Sequence, residues 1–293
     1  MNQNKIIEDL ESSGKYKVVR RYEKPDYYHH DDGSEKIKGI FLDVETTGLS
    51  HEIDKIIEIA LVPFEFSKDG RIFKIHDSYS CLEDPKVPLT EKIIALTGLT
   101  DEMLAGKSFD VDAINKVVES ADLILAHNAE FDRKFVEKRF PVFIEKGWAC
   151  SQRQVPWEEE GIASLKLEYL AYKFGYFFEG HRAEIDCYAS IHLLSMKLPK
   201  SENFVLDVLL KNARRKSYRI WALGSDFEKK DILKNRGYKW FPGGEGRDRS
   251  WHIEVDEENL EPELEYLKKE IYEREIDLPI DTITAFNRFS ERV

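Results

Sequence analysis

Apolar positions along this chain change period several times, and each change marks an element. From residue 37 the run IKGIFLDVET is β-branched and aromatic, with polar side chains at alternate positions near its end, as in a strand. KIIEIALVPFEF and RIFKIHDSYSCLE follow, separated by turns at Gly48 and at Lys68-Asp69-Gly70, so the pattern predicts a three-stranded antiparallel meander. Helical spacing takes over in PLTEKIIALTGL and SFDVDAINKVVESA, with Ser108 as the N-cap of the second. Residues 122–126 read as a short buried strand feeding the helix AEFDRKFVEKRF, whose Phe131, Phe135 and Val136 form an apolar stripe. A loop from Trp148 to Trp157 leads to two more helices, SLKLEYLAYKFG and RAEIDCYASIHLLSMKL, and Pro199 ends the block. Strands first, then helices mixed with a buried strand, predict an α/β class with one mixed sheet covered by helices.

The flanks are simpler. Residues 1–35 read as an N-terminal extension, a short charged helix and then a polar, turn-rich stretch. Within it His29-His30 and Asp31-Asp32 lack a second cluster at ligand spacing and read as exposed loop. Residues 36–199 form the main block. Residues 200–217 read as a basic linker; the patch KNARRKSYR (Lys211, Arg214, Arg215, Lys216 and Arg219) reads as a solvated helix face before it, the alternative being a local patch for phosphates. Residues 218–293 repeat a strand–helix rhythm on a small scale, with Gly237 at a helix stop, and predict a small C-terminal α/β accessory module. Its Trp221, Trp240, Phe241 and Trp251 read as core, because the module has few other large apolar residues. The alternative is base stacking, with Arg247 and Arg249 near phosphates.

Composition narrows the class. With 42% hydrophobic and 34% charged residues the chain reads as globular. No apolar run approaches the ~20 residues that span a bilayer, and the N-terminus has no apolar signal core. The expectation is a cytoplasmic protein with no membrane partner. Cys81, Cys150 and Cys187 are odd in number and far apart, which predicts buried reduced thiols. A net charge of −12 argues against non-specific coating of nucleic acid but leaves a nuclease open, because bound divalent cations and local basic patches handle phosphates.

The chemistry sits in three acidic segments. Residues i and i+2 of a strand share a face, so Asp43 and Glu45 in FLDVETTG aim at one spot. Crowded carboxylates resist burial unless a cation neutralises them, and hard oxygen ligands suit Mg²⁺ or Mn²⁺. Asp132 in AHNAEFD falls near a helix N-terminus, where the helix dipole favours an anion, and Asn128 is that helix's N-cap. His181 and Asp186 in HRAEID stand at the start of another helix, close enough for the imidazole to reach the same water as the carboxylate. Taken singly, each of these has a structural explanation. Their order and settings together point to a two-metal phosphodiester-cleaving site.

FLDVETTGLS, KIIEIALV, LTGLTDEML, LILAHNAEFDRKF, SLKLEYLA and HRAEIDCYAS resemble the successive motifs of the DEDDh 3′–5′ exonucleases. The branch is similar to the proofreading epsilon subunit of bacterial DNA polymerase III and its relatives, ribonuclease T among them, over residues 37–197. His181-x-Ala183-x-x-Asp186 matches the histidine branch; position 182, where the tyrosine branch has Tyr, is Arg. The resemblance implies a ribonuclease-H-like fold, two Mg²⁺ (or Mn²⁺) held by Asp43, Glu45, Asp132 and Asp186, and His181 as general base for the attacking water. It implies release of nucleoside 5′-monophosphates from single-stranded 3′ ends. It also implies contacts to the terminal nucleotide from Thr46, Thr47, Leu49, Thr97, His127, Asn128 and Phe131. DNA is the favoured substrate, RNA the alternative, and a non-catalytic nucleic-acid-binding module the third reading. No glutamine-led clamp-binding peptide follows the block. The C-terminal module lies outside the exonuclease pattern and is a candidate surface for a protein partner.

Overall fold

The computed structural model describes residues 3–244 and 246–292. It divides into two compact units, Met1–Asn212 with Phe289–Glu291, and Ala213–Arg288 with Arg292–Val293.

The first unit opens with α1 (Gln3–Ser12) and a two-residue strand β1 (Arg20–Arg21). The meander follows as β2 (Ile37–Thr46), β3 (Ile56–Phe66), β4 (Ile72–Ile75) and β5 (Tyr79–Leu82). Next come α2 (Glu91–Thr97), α3 (Asp101–Leu104), α4 (Val111–Glu119), β6 (Leu123–Ala126), α5 (Ala129–Arg139) and β7 (Trp148–Cys150). The unit ends with α6 (Leu167–Lys173), β8 (Tyr176–Phe177), α7 (Ala183–Ser195) and α8 (Val205–Arg214). The central sheet has strand order β4-β3-β2-β6-β7, with β5 also on β3. β2 pairs antiparallel with β3 and parallel with β6, and β6 parallel with β7, giving the mixed sheet of a ribonuclease-H-like fold.

Alternation along β2 decides what each face carries. Ile40, Leu42 and Val44 enter a core with Ile114, Val118, Phe135, Val136 and Trp148. Burying each such side chain contributes roughly 1.5–3 kcal/mol. The same alternation sends Phe41, Asp43 and Glu45 to the opposite face, and α7 packs against β2 and β3. Gly48 is required at the end of β2: a Cβ there would lie 2.5 Å from the Asp54 carboxylate, which accepts from the Ser50 N–H.

Several expectations need correction. RIFKIHDSYSCLE is two strands, because β2 takes one edge of the 11-residue β3 and β4 and β5 pair with different stretches of the other. The helix assigned to Ser108 starts at Val111, capped by Asp110, whose carboxylate accepts from the Ala113 N–H at 3.0 Å. The loop from Trp148 contains β7, all three of whose residues are buried. Residues 200–217 are not a simple linker. They contain α8, whose Val205, Leu206, Leu209, Leu210 and Ala213 are buried, while Lys211 pairs with Asp207 one turn away. His29 is half-buried, its Nδ1 2.8 Å from the Ile72 carbonyl. All three cysteines are free, and Cys81 is only partly buried. No helix of the described residues is long and apolar enough to cross a membrane.

The second unit is an antiparallel four-stranded sheet, β9 (Ser217–Ala222), β10 (Lys239–Phe241), β11 (Ser250–Asp256) and β12 (Ile280–Ile283), in the order β10-β11-β9-β12. It carries α9 (Lys230–Asn235) and α10 (Glu257–Tyr266), the latter continued by a π-helical turn to Tyr272. Ile220, Ala222, Leu233, Tyr238, Leu267 and Ile271 form its core. Gly237 ends α9 with φ +98°. Trp221 is core, its indole N–H donating to Asp281 and its ring under Arg247, and Trp251 is partly buried. Trp240 departs from the expectation: in the middle of the short edge strand β10 it is half exposed.

Candidate active site

β2 ends at the Glu45/Thr46 register shift, and that end collects the acidic segments. Asp43 and Glu45 arrive by strand alternation, half-buried. Asp132 sits in the first turn of α5, buried, and its Oδ1 accepts from the Val44 N–H at 3.2 Å. Asp186 sits in the first turn of α7, and its Oδ2 accepts from the His181 N–H at 3.2 Å. Ligand atoms of Glu45, His181 and Asp186 lie within 4.8 Å of one another.

Four carboxylates so placed cannot all ionise cheaply. Burial, then the charges of Asp132, Asp186 and Glu45, holds the Asp43 carboxyl well above the usual range. Burial likewise raises Asp132. Burial with the nearby Asp186 and Glu58 charges pushes Glu45 up to about 8, and burial lifts Asp186 to about 7 against the His181 N–H that opposes it. Asp186 Oδ1 is buried with no hydrogen-bond partner among the described residues. A buried acceptor facing a carboxylate cluster fits a cation, which would supply the missing partner and lower all four groups together. Gly180 lies beside Asp186 Oδ1 and Glu168 Oε1, 3.4 Å from where its Cβ would be.

His181 has φ +66°, a left-handed conformation rare outside glycine. A second salt bridge holds that turn. Glu58, buried on β3 directly opposite Glu45, takes a bidentate pair from Arg182, with Nε at 3.1 Å and Nη2 at 2.9 Å from Oε1. It also accepts from the Ala183 N–H at the first position of α7. Glu168 lies 3.6 Å from His181 Nε2. Sequence reasoning did not single out Glu58, Arg182 or Glu168. The available signal was a charge within the apolar run KIIEIALV, which requires a cationic partner when buried.

The nucleotide-contact candidates divide. Asn128 and Phe131 line a cavity of about 300 Å³ with Leu49, His51, Glu130, Lys134, Phe135 and Arg153. Leu49 is 85% exposed at its mouth. Phe131 packs on Phe135 with ring centroids 4.9 Å apart, so it serves both core and cavity. Asn128 occupies the N-cap position with φ +76°, but its side chain does not cap, leaving the amide free to face the cavity. The Thr46 hydroxyl is spent on the Gly48 carbonyl and the Thr47 hydroxyl on Asp54. His127 is fixed between the Ser151 hydroxyl and the Leu165 carbonyl, both at 2.8 Å, and burial lowers it to about 4, so it stays neutral. Thr97 departs furthest from the expectation. It is buried, and its hydroxyl bonds the Ile93 carbonyl and the Leu99 N–H within its own helix end.

Known proteins match this chain over the same block. A family model described as Exonuclease matches residues 40–194. The PolC-type DNA polymerase III of Clostridium perfringens is 32% identical over 183 residues, covering 60% of this chain and 12% of that protein. The Bacillus subtilis PolC-type DNA polymerase III is 40% identical over 108 residues, covering 36% and 7%. The chain therefore spans only a small fraction of these relatives. Among solved structures, Exonuclease X in complex with 5′ overhanging duplex DNA is 25% identical, covering 54% of this chain and 89% of that one, with a TM-score of 0.42. The match to the family model takes in more than half of the chain, with the four clustered carboxylates and His181 inside it: the chain belongs to the exonuclease family.

Proposed function

We propose that this protein is a metal-dependent 3′–5′ exonuclease that releases nucleoside 5′-monophosphates from single-stranded 3′ ends, with DNA favoured. The observation that carries the reading is the cluster of four raised carboxylates around an unpartnered buried oxygen, with an imidazole beside it. Asp43, Glu45, Asp132 and Asp186 would hold two divalent cations, Mg²⁺ or Mn²⁺. When bound, these supply charge neutralisation and Lewis acidity at the phosphodiester.

The chain's own residues do the rest. His181 takes the proton of the attacking water as its oxygen bonds to phosphorus, while the 3′ oxygen of the preceding nucleotide leaves. Glu168, 3.6 Å away, stabilises the imidazolium that forms. Leu49 and Phe131 pack the terminal base, and Asn128 offers it a polar contact. The favoured substrate is DNA because the relatives are DNA polymerases.

The test is a 5′-labelled single strand incubated with Mg²⁺ or Mn²⁺, with a matched RNA alongside. Stepwise shortening from the 3′ end is expected, faster on DNA. No shortening with either ion while the 3′ end is free rejects the activity. His181→Ala should lower kcat about 10²–10⁴-fold, the usual worth of a general base, with the fold intact.

A further inference from the structure

The segment KYKVVRRYEK, residues 15–24, carries Lys15, Lys17, Arg20, Arg21 and Lys24 against the single Glu23, in a chain of net charge −12. It precedes the family match at residue 40. All five cations are exposed. Among the described residues only Arg21 has a carboxylate partner, Glu179 at 2.9 Å, and both side chains are more than half exposed, so that pair is weak. An ordinary solvated face mixes its signs; here four of the five cations have no carboxylate partner among the described residues.

Aromatic rings lie under the cations. Lys17 sits 4.4 Å above Tyr172, Arg21 5.3 Å above Phe177 and Lys24 4.9 Å above Tyr188. Tyr16, Tyr172 and Phe177 remain exposed. Exposed rings interleaved with exposed cations are what an unpaired base-and-phosphate chain requires, the rings for stacking and the charges for the backbone.

Topology joins this surface to the catalytic histidine. β1 pairs in parallel with β8, which ends four residues before His181. Lys17 donates to the Tyr172 and Lys173 carbonyls at the far end of α6, whose first turn holds Glu168 beside His181. Fully extended, the arm from Lys17 to Lys24 would reach roughly 23 Å at strand rise, the scale of a site for at least about four nucleotides; Arg20–Arg21 of it is strand.

We infer that residues 15–24, with Tyr172 and Phe177, form a track that binds the single-stranded nucleic acid on the 5′ side of the end being cleaved. The inference rests on the nucleic-acid reading above and adds where the rest of the strand lies. It accounts for how a protein whose overall field repels polyanions retains one: by a local strip of opposite sign.

The test is binding, measured in EDTA so that it does not depend on hydrolysis. Fluorescence anisotropy of labelled dT20 is followed across KCl concentrations for the wild type and for Lys15→Ala/Arg20→Ala/Lys24→Ala, with melting temperature as the fold control. Each phosphate contact on a single strand contributes about 0.7 to the slope of log affinity against log salt. The triple variant should therefore lose about 2 from that slope and bind at least about tenfold more weakly at low salt. Arg20→Ala alone should lose about 0.7; its side chain has no ion pair or hydrogen bond among the described residues, so it carries the test if the triple variant does not fold. With Mg²⁺ restored, the variants should lose kcat/KM on dT20 but not on dT3, which is too short to reach the arm. An unchanged slope in both variants overturns the track. Equal displacement of dT20 by polyglutamate of matched charge overturns it too, since that would be charge without stacking. Failure of the wild type to cleave while arm-dependent binding persists overturns the proposed activity instead.

Discussion

Both units of the molecule bury carboxylates, and they treat them in opposite ways. In the second unit Glu263 is buried but fully answered: Arg236 donates through Nε at 2.8 Å and Nη2 at 2.8 Å, and the Tyr238 hydroxyl donates at 2.8 Å. In the first unit Asp43, Glu45, Asp132 and Asp186 share one sheet end, and none forms an ion pair with Lys or Arg among the described residues. Glu58 shows that the same region pairs a structural carboxylate when it needs to, since Arg182 goes to Glu58 and not to its neighbours. A carboxylate that serves the fold brings its own cation, because an uncompensated buried charge costs several kcal/mol. A cluster left without one is what the proposed cation site would require.

The sharpest way to break that contrast is to neutralise one member on each side. Asp43→Asn should lower exonuclease activity by at least about 10³-fold, equivalent to roughly 4 kcal/mol of transition-state stabilisation. It should also raise the melting temperature of the metal-free protein, because it removes a repelling charge. Glu263→Gln should do the reverse: activity unchanged, stability lower by about 2–3 kcal/mol, discounted from the usual 3–5 because Arg236 is 40% exposed. Activity assays and thermal melts in EDTA read both. A destabilised Asp43→Asn protein would remove the distinction between the two kinds of site.

Glu58 sharpens the comparison from the middle, being a paired carboxylate inside the active site. Glu58→Gln keeps the side chain's shape but loses the charge that fixes Arg182 and, through it, the left-handed turn at His181. The expected result is a kcat about tenfold lower, roughly 1.4 kcal/mol, with KM for a dT20 strand unchanged. A fall in KM-dependent binding alone would place Glu58 with the substrate contacts instead.

How far the sequence carries differs between these regions for physical reasons. Asp43 and Glu45 were legible because strand alternation is local, and the fold places both on the predicted face. Asp132 and Asp186 were legible only through motif order, since each alone is an ordinary first-turn acid. Glu58 was not, because its partner is 124 residues away and nothing local names it. For Thr97, motif position does not reveal that the hydroxyl is already used within its own helix end. α8 was hidden for another reason: Val205, Leu206, Leu209, Leu210 and Ala213 follow a helical stripe, but the basic cluster after it dominated the reading. β7 offers three buried residues and no alternation, too few for any period to register.

The smallest expected effect is the most direct probe of the unpaired cluster. A carboxyl raised in the folded state binds protons there that it has lost in the unfolded chain. Its stabilisation is therefore complete below the unfolded value near 4 and disappears as pH rises through the folded one. With Asp186 at about 7 and Glu45 at about 8, the metal-free protein should lose stability between pH 7 and 8.5. His127, His192 and His252, lowered to about 4 by burial, act in the opposite sense but below their unfolded value of 6.5, outside that window. After allowance for partial exposure the expected loss is about 1 kcal/mol, or roughly 2–4 °C in Tm. Added Mg²⁺ or Mn²⁺ should abolish the fall and release protons, because the ion replaces the proton as the neutralising partner. Melts in EDTA and in excess Mg²⁺ at pH 7.0 and 8.5 decide it. A flat Tm in EDTA, or a fall that Asp43→Asn leaves as steep as in the wild type, would mean that the four carboxylates do not share their charge.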